Sequence, residues 1–202
     1  MAILKAPLLS LGASQQLGKA LVFFAWKGLN VVREYVVPSN PKTALQATQR
    51  GFMSAAVAAI HAAQALAVHP LAAADATAYA LLASTRSRPR TWFNEAVKNW
   101  VDVNVAGNLG CVVSGGSLDD TTPAQLKAEC FLSEATCAAG TFFYGTSKTA
   151  LLNSIAAGIL TRVATATIPA TVAGVKYYVQ FRANAADPSE GARSGIYSKI
   201  ST

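Results

Sequence analysis

The stretch Val175–Ala183, with the sequence VKYYVQFRA, determines how the second half of the chain is interpreted. Tyr177, Val179 and Phe181 alternate along it with more polar residues such as Arg182. Because successive side chains of a β-strand point to opposite faces of the sheet, this alternation predicts an antiparallel strand with one buried and one solvent-facing side. We therefore place Tyr177, Val179 and Phe181 in the core of an all-β domain.

Short β-prone runs surround this strand throughout residues 109–202. Turn-forming residues separate the runs at intervals of ~8–12 residues, a spacing typical of an all-β sandwich. Residues 151–156 fit either a further short strand or a turn of helix. The predicted strands are Cys111–Val113, Ala128–Ser133, Thr141–Thr146, Ile159–Ile168, Val175–Ala183 and Ile196–Ile200.

Helical spacing replaces this pattern in the middle of the chain. Thr43, followed three residues later by Gln46, forms a capping-box pattern ahead of an Ala-rich run. Trp92 and Trp100 lie on one stripe of the last helix, and such a stripe is more often core than a ligand cage. The predicted helices are Thr43–Val68, Ala72–Ser84 and Thr91–Val103.

A β-hairpin is predicted for residues 15–38. Two β-prone runs flank a turn at residues 26–30, where Gly28 supplies a positive φ. A lone two-stranded ribbon is marginal in water, so this one needs contact with the following helices or with another chain. The candidate assembly-interface residues are Phe23, Trp26, Lys27, Val32, Arg33 and Tyr35.

The charge of the chain is uneven. The formal net charge is +7, and residues 1–50 contribute most of it, with six basic residues against Glu34 alone. A basic loop follows later, and we take Arg86, Arg88 and Arg90 as a candidate basic patch. Such surfaces meet either a polyanion or an acidic neighbouring subunit. The low charged content of 13% and the 52% of hydrophobic residues exclude a disordered chain.

Motifs for catalysis and cofactor binding are not found in the sequence. It contains no G-x-S-x-G, no Walker sequence and no G-x-G-x-x-G, so we expect no enzyme and no cofactor. The Asp119-Asp120 pair fits either a calcium ligand or a solvated turn. Asp187 and Glu190 fit either a contact at the tip of a loop or a simple turn of the chain.

The three cysteines form no C-x-x-C pair, so a zinc site is not expected. They fit buried free thiols, although a bridge between Cys130 and Cys137 stays open for a protein that matures outside a reducing compartment. The apolar run Phe52–Val68 is rich in Ala and interrupted by polar residues, which favours a buried helix over a membrane span. The first residues lack the hydrophobic region of a secretory signal.

The C-terminal segment resembles the fibronectin type III family of immunoglobulin-like sandwiches. The matching residues are Thr167–Pro169, Gly174–Ala183 and Ser194–Ser198. The resemblance implies that Tyr177 is the buried tyrosine that pins the corner of the sandwich. The family's usual Trp of the early strand is absent, and Phe142 or Phe143 takes its place.

The first ~105 residues are similar to a pattern found in phage and prophage proteins, W-K-G-x-x-V-V-R followed by N-P-x-T-x-x-Q. The matching residues are Trp26–Arg33 and Asn40–Gln46, followed by Gln49-Arg50. Some relatives with this pattern carry an immunoglobulin-like domain behind it. The resemblance therefore implies a structural component of a virion.

Together these patterns predict an α+β chain of two domains. Residues 1–108 would form a β-hairpin arm and a three-helix assembly domain, and residues 109–202 a fibronectin III-like, immunoglobulin-like β-sandwich. The expected function is that of a non-enzymatic bacteriophage virion protein, either a capsid decoration or a tail- or connector-associated subunit. Its expected partners are capsid or tail subunits and further copies of itself within the virion.

Two alternatives stay open at this point. The sandwich loops could bind a host-surface glycan or protein, with the first half of the chain as an anchor. The basic arm could instead associate with DNA, in which case binding to duplex DNA would weaken steeply with salt.

Overall fold

The computed structural model describes residues 2–3, 15–37, 39 and 42–202 of the chain. The chain divides into two compact units, Met1–Thr43 and Ala44–Thr202. Within the described residues it has three α-helices and twelve β-strands in three antiparallel sheets, so it is an α+β protein with a β-rich part.

The first unit is a four-stranded antiparallel sheet of order β1-β4-β3-β2. The predicted hairpin is confirmed, because β3 and β4 pair directly and are joined by the two-residue turn Lys27-Gly28. Both turn residues have positive φ, 51° and 78°, which gives the hairpin a turn that matches the twist of its strands. The strands are Ala2–Ile3 (β1), Gln15–Leu17 (β2), Leu21–Trp26 (β3) and Leu29–Glu34 (β4).

The second unit begins with the three predicted helices, which are confirmed with shifted ends. The first helix ends at Gln64 rather than Val68, because the chain turns back and the backbone N–H of Leu71 donates to the Ala63 carbonyl at 2.9 Å. The third helix is capped by Thr91, whose side chain accepts a hydrogen bond from the Asn94 backbone N–H. The helices are Ala44–Gln64 (α1), Ala73–Ser84 (α2) and Trp92–Val105 (α3).

Eight strands follow the helices and form two antiparallel sheets, of order β5-β6-β10-β9 and β12-β11-β7-β8. Residues 151–156, for which the sequence allowed either a strand or a turn of helix, contain the strand β8. The predicted strand over residues 159–168 is instead a tight hairpin of β9 and β10. The strands are Val113–Thr122 (β5), Gln125–Leu132 (β6), Gly140–Gly145 (β7), Asn153–Ala156 (β8), Gly158–Leu160 (β9), Val163–Ile168 (β10), Lys176–Ala183 (β11) and Tyr197–Ile200 (β12).

The two sheets share one hydrophobic core. Tyr177, Val179 and Phe181 of β11 lie in it, and Phe142 of β7 meets Phe181 edge to face with 5.4 Å between ring centroids. Phe142 therefore fills the space beside β11, whereas Phe143 is only half-buried. Leu126, Leu132 and Ile168 from the opposite sheet complete this core.

The outer face of β11 is covered at its middle and exposed at its ends, at Lys176 and Arg182, whereas the prediction placed the whole face in water. Gln180 is 1% exposed and donates to the Ser194 carbonyl at 3.1 Å. Tyr178, also on that face, packs against a second core that the helices form with Ile196. The alternation in the sequence identified the buried face, but it could not show that helices cover the other one.

Helices and sheets of the second unit form one compact body. The Tyr79 hydroxyl on α2 donates to the Val113 carbonyl at 3.0 Å, and the Ile196 backbone N–H donates to the Ala78 carbonyl at 3.0 Å. The predicted domain boundary between residues 108 and 109 therefore falls inside this unit. Among the described residues no helix is long and apolar enough to cross a membrane.

The cysteines are free and buried. All three lie in the core between the sheets, and burial raises the pKa of each thiol. For Cys137, burial and the nearby Asp187 carboxylate raise the pKa from 9.0 to about 12. The thiols therefore stay protonated in the folded chain at a pH where they ionise in the unfolded chain.

We expect the free energy of unfolding to fall as the pH rises from 9.0 to about 12. The unfolded chain loses thiol protons in this window while the folded chain keeps them, so alkali favours unfolding. Urea unfolding across this pH range measures the slope, and the Cys137→Ala variant should reduce it by up to about one proton, or ~1.4 kcal/mol per pH unit. Equal slopes for the two proteins would contradict this account of the thiol.

Candidate functional site

The predicted assembly-interface residues of the first unit do not share one face of its sheet. Phe23 lies opposite Val32 in the ladder, so both side chains point to one face, whereas Trp26 and Arg33 point to the other. Phe23 is 7% exposed and belongs to the small core of the unit. Tyr35 follows β4 and is half-buried.

Two exposed apolar pairs occupy the two faces of this sheet. Leu17 lies opposite Leu21, and Trp26 lies opposite Leu29. These four side chains are between 40% and 52% exposed. Lys27 lies beside the second pair, with its ammonium 5.3 Å from the centre of the Trp26 ring. Both faces thus present apolar surface, with a basic side chain beside the second pair.

The predicted basic patch is built around an acid that the sequence did not single out. Glu95, in the first turn of α3, is 1% exposed. Arg86 contacts one of its carboxylate oxygens through Nη2 at 2.7 Å and through Nε at 2.8 Å. Arg90 lies 3.5 Å from the other oxygen. Arg88 is exposed and forms no ion pair with any residue that the structure describes.

Two further arginines join this cluster through the strand topology. Arg182 of β11 lies opposite Arg193 in an isolated antiparallel bridge. Burial, followed by the neighbouring positive charges, lowers the pKa of both guanidinium groups. The side chain of Arg193 has no ion pair or hydrogen bond with the described residues, although its backbone carbonyl accepts from Asn99 and Tyr79.

Three of these arginines line a cavity of about 400 Å³ in the second unit. Arg86, Lys148, Arg182 and Arg193 line it, together with neutral residues and no carboxylate. A volume of this size lies within the range of small-molecule sites, ~300–1,000 Å³. We call this space the arginine cavity.

No family model matches the chain, and no curated protein is significantly similar to it.

A second buried acid, Asp75 on α2, was also missed in the sequence. Its carboxylate is 1% exposed and accepts hydrogen bonds from the backbone N–H groups of Ala72, Gly115 and Gly116 at 2.9, 3.1 and 2.9 Å. The Tyr197 hydroxyl donates a fourth at 2.6 Å. Asp75 therefore ties α2 to β5 and β12, and its position in a first helical turn was the available signal.

The Asp119-Asp120 pair lies within the strand β5 rather than in a solvated turn. Asp120 accepts hydrogen bonds from the backbone N–H and the hydroxyl of Thr202, which lower the pKa of its carboxyl group. Asp119 lies opposite Lys127 in the ladder. Across the described ranges no group of three or more His, Cys, Asp or Glu side chains could hold a metal ion. Asp120 therefore fastens Thr202 to the sheet.

Asp187 is a buried part of the loop before the last strand rather than a contact at its tip. It is 6% exposed and accepts from the backbone N–H groups of Ala138 and Ala139 at 2.9 Å each and of Ser189 at 2.8 Å. Burial acts to raise the pKa of this carboxyl group, but the three donors outweigh it and hold the pKa below its usual range. Glu190 is exposed and accepts from the Ala186 N–H.

The rings of both histidines contact other side chains in the described part of the chain. The His61 ring lies 3.1 Å from the Gln64 side-chain oxygen, and the His69 ring stacks on Phe131 with 5.4 Å between centroids. The Ser114 hydroxyl donates to the backbone carbonyl of His69 rather than contacting its ring.

Proposed function

We propose that the chain is a non-enzymatic structural protein of a bacteriophage virion that attaches to neighbouring subunits through its first unit. Among the described residues that unit buries only Phe23 and Val31, while it exposes Trp26 and Leu29 at 52% and 48%. A small sheet with so little core gains stability when a partner covers its apolar faces. This exposure is the observation that carries the proposal.

The virion setting rests on the resemblance of the first half of the chain to phage and prophage proteins. A capsid decoration protein and a tail or connector subunit both fit, since each attaches to a preformed surface. Partners in either setting are other virion subunits and further copies of the chain. The exposed Lys27 and Arg33 favour a partner with an acidic surface.

We further propose that the β-rich part of the second unit is an immunoglobulin-like sandwich. In chain order, β5 to β12 correspond to strands A, B, C, C′, D, E, F and G of that fold. The sheet β5-β6-β10-β9 then has the order ABED, and β12-β11-β7-β8 the order GFCC′. Such a unit can project from an assembly and present its loops.

A hydrogen bond typical of this fold supports the assignment. Tyr177, near the start of β11, is buried, and its hydroxyl accepts from the backbone N–H of Val172 at 3.0 Å. A conserved tyrosine near the start of strand F makes this kind of contact with the upstream backbone in immunoglobulin-like domains. The same position carried the fibronectin type III resemblance in the sequence.

We expect a Trp26→Ser/Leu29→Ser double variant to lose its place in the particle. Apolar anchors at an interface each contribute about 1–2 kcal/mol, so the copy number per particle should fall more than about tenfold. Quantitative mass spectrometry of purified particles measures this number. A matched control, Leu160→Ser/Val172→Ser, removes two apolar side chains that are 79% and 60% exposed in the second unit. Equal copy numbers for the two double variants would refute attachment through the first unit.

A further inference from the structure

The lining of the arginine cavity holds four cationic side chains and no carboxylate, and the nearby Glu95 and Asp102 offset only part of the charge of Arg193. Glu95 holds Arg86 and Arg90, but it lies outside the cavity lining. Lys148, Arg182 and Arg193 make no ion pair with any residue the structure describes. Lys148 and Arg193 are half-buried and Arg182 is exposed. Because like charges gathered around one cavity repel each other, a ligand that supplies negative charge would stabilise this arrangement.

The fold places two of these cations against each other. Arg182 and Arg193 face one another across adjacent backbone segments, where like charges destabilise the pairing. Removing either charge would relieve that repulsion. A cationic pair held in this position therefore points to binding rather than to stability.

The side chain of Arg182 is also held in a fixed orientation. Its Nε donates to the Gln180 side-chain oxygen at 2.9 Å, and its guanidinium lies 4.5 Å from the centre of the Phe143 ring. Gln180 is itself anchored, because its amide donates to the carbonyl of Ser194. On another wall, Lys148 donates to the Ser84 hydroxyl at 3.2 Å. A guanidinium oriented in advance loses less entropy when it binds an oxyanion.

We propose that the arginine cavity binds a small molecule carrying a tetrahedral oxyanion, a phosphate or sulfate ester on a body the size of a sugar. The planar forks of Arg182 and Arg193 match the oxygens of such a group, and Lys148 adds a point charge from another direction. The volume of about 400 Å³ leaves room for more than the anion alone. This site lies wholly in the second unit and does not depend on attachment through the first.

Calorimetric titration of the full chain at low ionic strength tests the proposal. The probes are glucose 6-phosphate, glucose 6-sulfate, glucuronate and glucose, with inorganic phosphate to measure the anion alone. We expect one of the two esters to bind more tightly than inorganic phosphate, and glucose not to bind. Whichever ester binds more tightly identifies the source of the oxyanion. Tighter binding of glucuronate than of both esters would overturn the assignment to a tetrahedral oxyanion.

Variants that each remove one positive charge distinguish binding in the cavity from a response to the net charge of the chain. Arg193→Gln and Lys148→Gln should each weaken binding of the ester about tenfold, whereas Arg88→Gln, outside the cavity, should change it less than about twofold. Arg193→Gln should unfold at the same temperature as the parent chain or higher, which a merely structural arginine would not do. Lys148→Gln removes only a contact with Ser84, so it tests the site independently of folding.

Two results would overturn the inference. An Arg88→Gln variant that weakens binding as much as Arg193→Gln would show a response to net charge alone. Failure of every small anion to bind, with duplex DNA or an acidic peptide binding instead, would show that the surface recognises a macromolecule.

Discussion

Replacing Asp75 with Ala should lower the free energy of unfolding of the second unit by about 4 kcal/mol, because four buried donors lose their acceptor together. Three of these donors are backbone N–H groups at the start of α2 and at Gly115-Gly116, which cannot turn toward water without opening the contact between α2 and β5. The fourth is the Tyr197 hydroxyl. Urea unfolding followed by circular dichroism measures the loss.

Two companion variants make this result specific. Asp102→Ala removes a carboxylate of the neighbouring helix α3 that is 54% exposed and, among the described residues, forms a salt bridge with Lys98 alone, so it should change stability by less than about 0.5 kcal/mol. Asp75→Asn keeps one acceptor oxygen but turns an amide donor toward N–H groups. Its loss of stability should therefore lie between those of Asp75→Ala and Asp102→Ala. An Asp75→Ala chain within about 1 kcal/mol of the parent would contradict the role assigned to this carboxylate.

The second large effect is expected at Gly195. A Cβ atom there would lie 2.4 Å from the Ala78 carbonyl carbon and 2.5 Å from the Tyr79 nitrogen, both in the backbone of α2. Because a helix backbone cannot move aside as a flexible side chain can, Gly195→Ala should destabilise the unit by about 3 kcal/mol. It would also weaken the hydrogen bond from the Ile196 N–H to the Ala78 carbonyl.

Gly158→Ala is the matched control, since the nearest atoms to its added Cβ lie 3.9 Å away. We expect this variant to melt within a few degrees of the parent, a shift of about 1 kcal/mol or less. Thermal unfolding of the pair measures how tightly the last strand segment packs on α2. If Gly195→Ala melted like Gly158→Ala, the close approach of strand and helix would be refuted.

The local elements were predictable because each rests on short-range chemistry. The hairpin depends on two β-prone runs and a turn with Gly28, and the helices on their caps and spacing. Most of the strand β5 was missed, since the predicted strand ended at Val113, because Gly115-Gly116 and Asp119-Asp120 are typical of a loop. In the fold the glycines admit close neighbours, since a Cβ on Gly116 would lie 2.0 Å from the Tyr197 ring.

The candidate site was less accessible from the sequence because its parts come from distant segments. Arg86 lies far along the chain from Arg182 and Arg193, which an antiparallel bridge places opposite each other, and it meets them only through the packing of the helices on the sheet β12-β11-β7-β8. Glu95 was not singled out in the sequence, although its carboxylate pairs with two of the three arginines of the basic loop, Arg86 and Arg90. In the first unit the register of the strands, which the sequence did not reveal, places the predicted interface residues on two faces of the sheet.

The most direct test of attachment through the first unit is the copy number in purified particles of a chain that lacks residues 1–43. The boundary between the compact units defines this truncation. We predict that the shortened chain folds in solution with the helical and strand content of the second unit. It should nevertheless be missing from purified particles, whereas the full chain is present in them. A shortened chain present at the same copy number as the full chain would contradict the account.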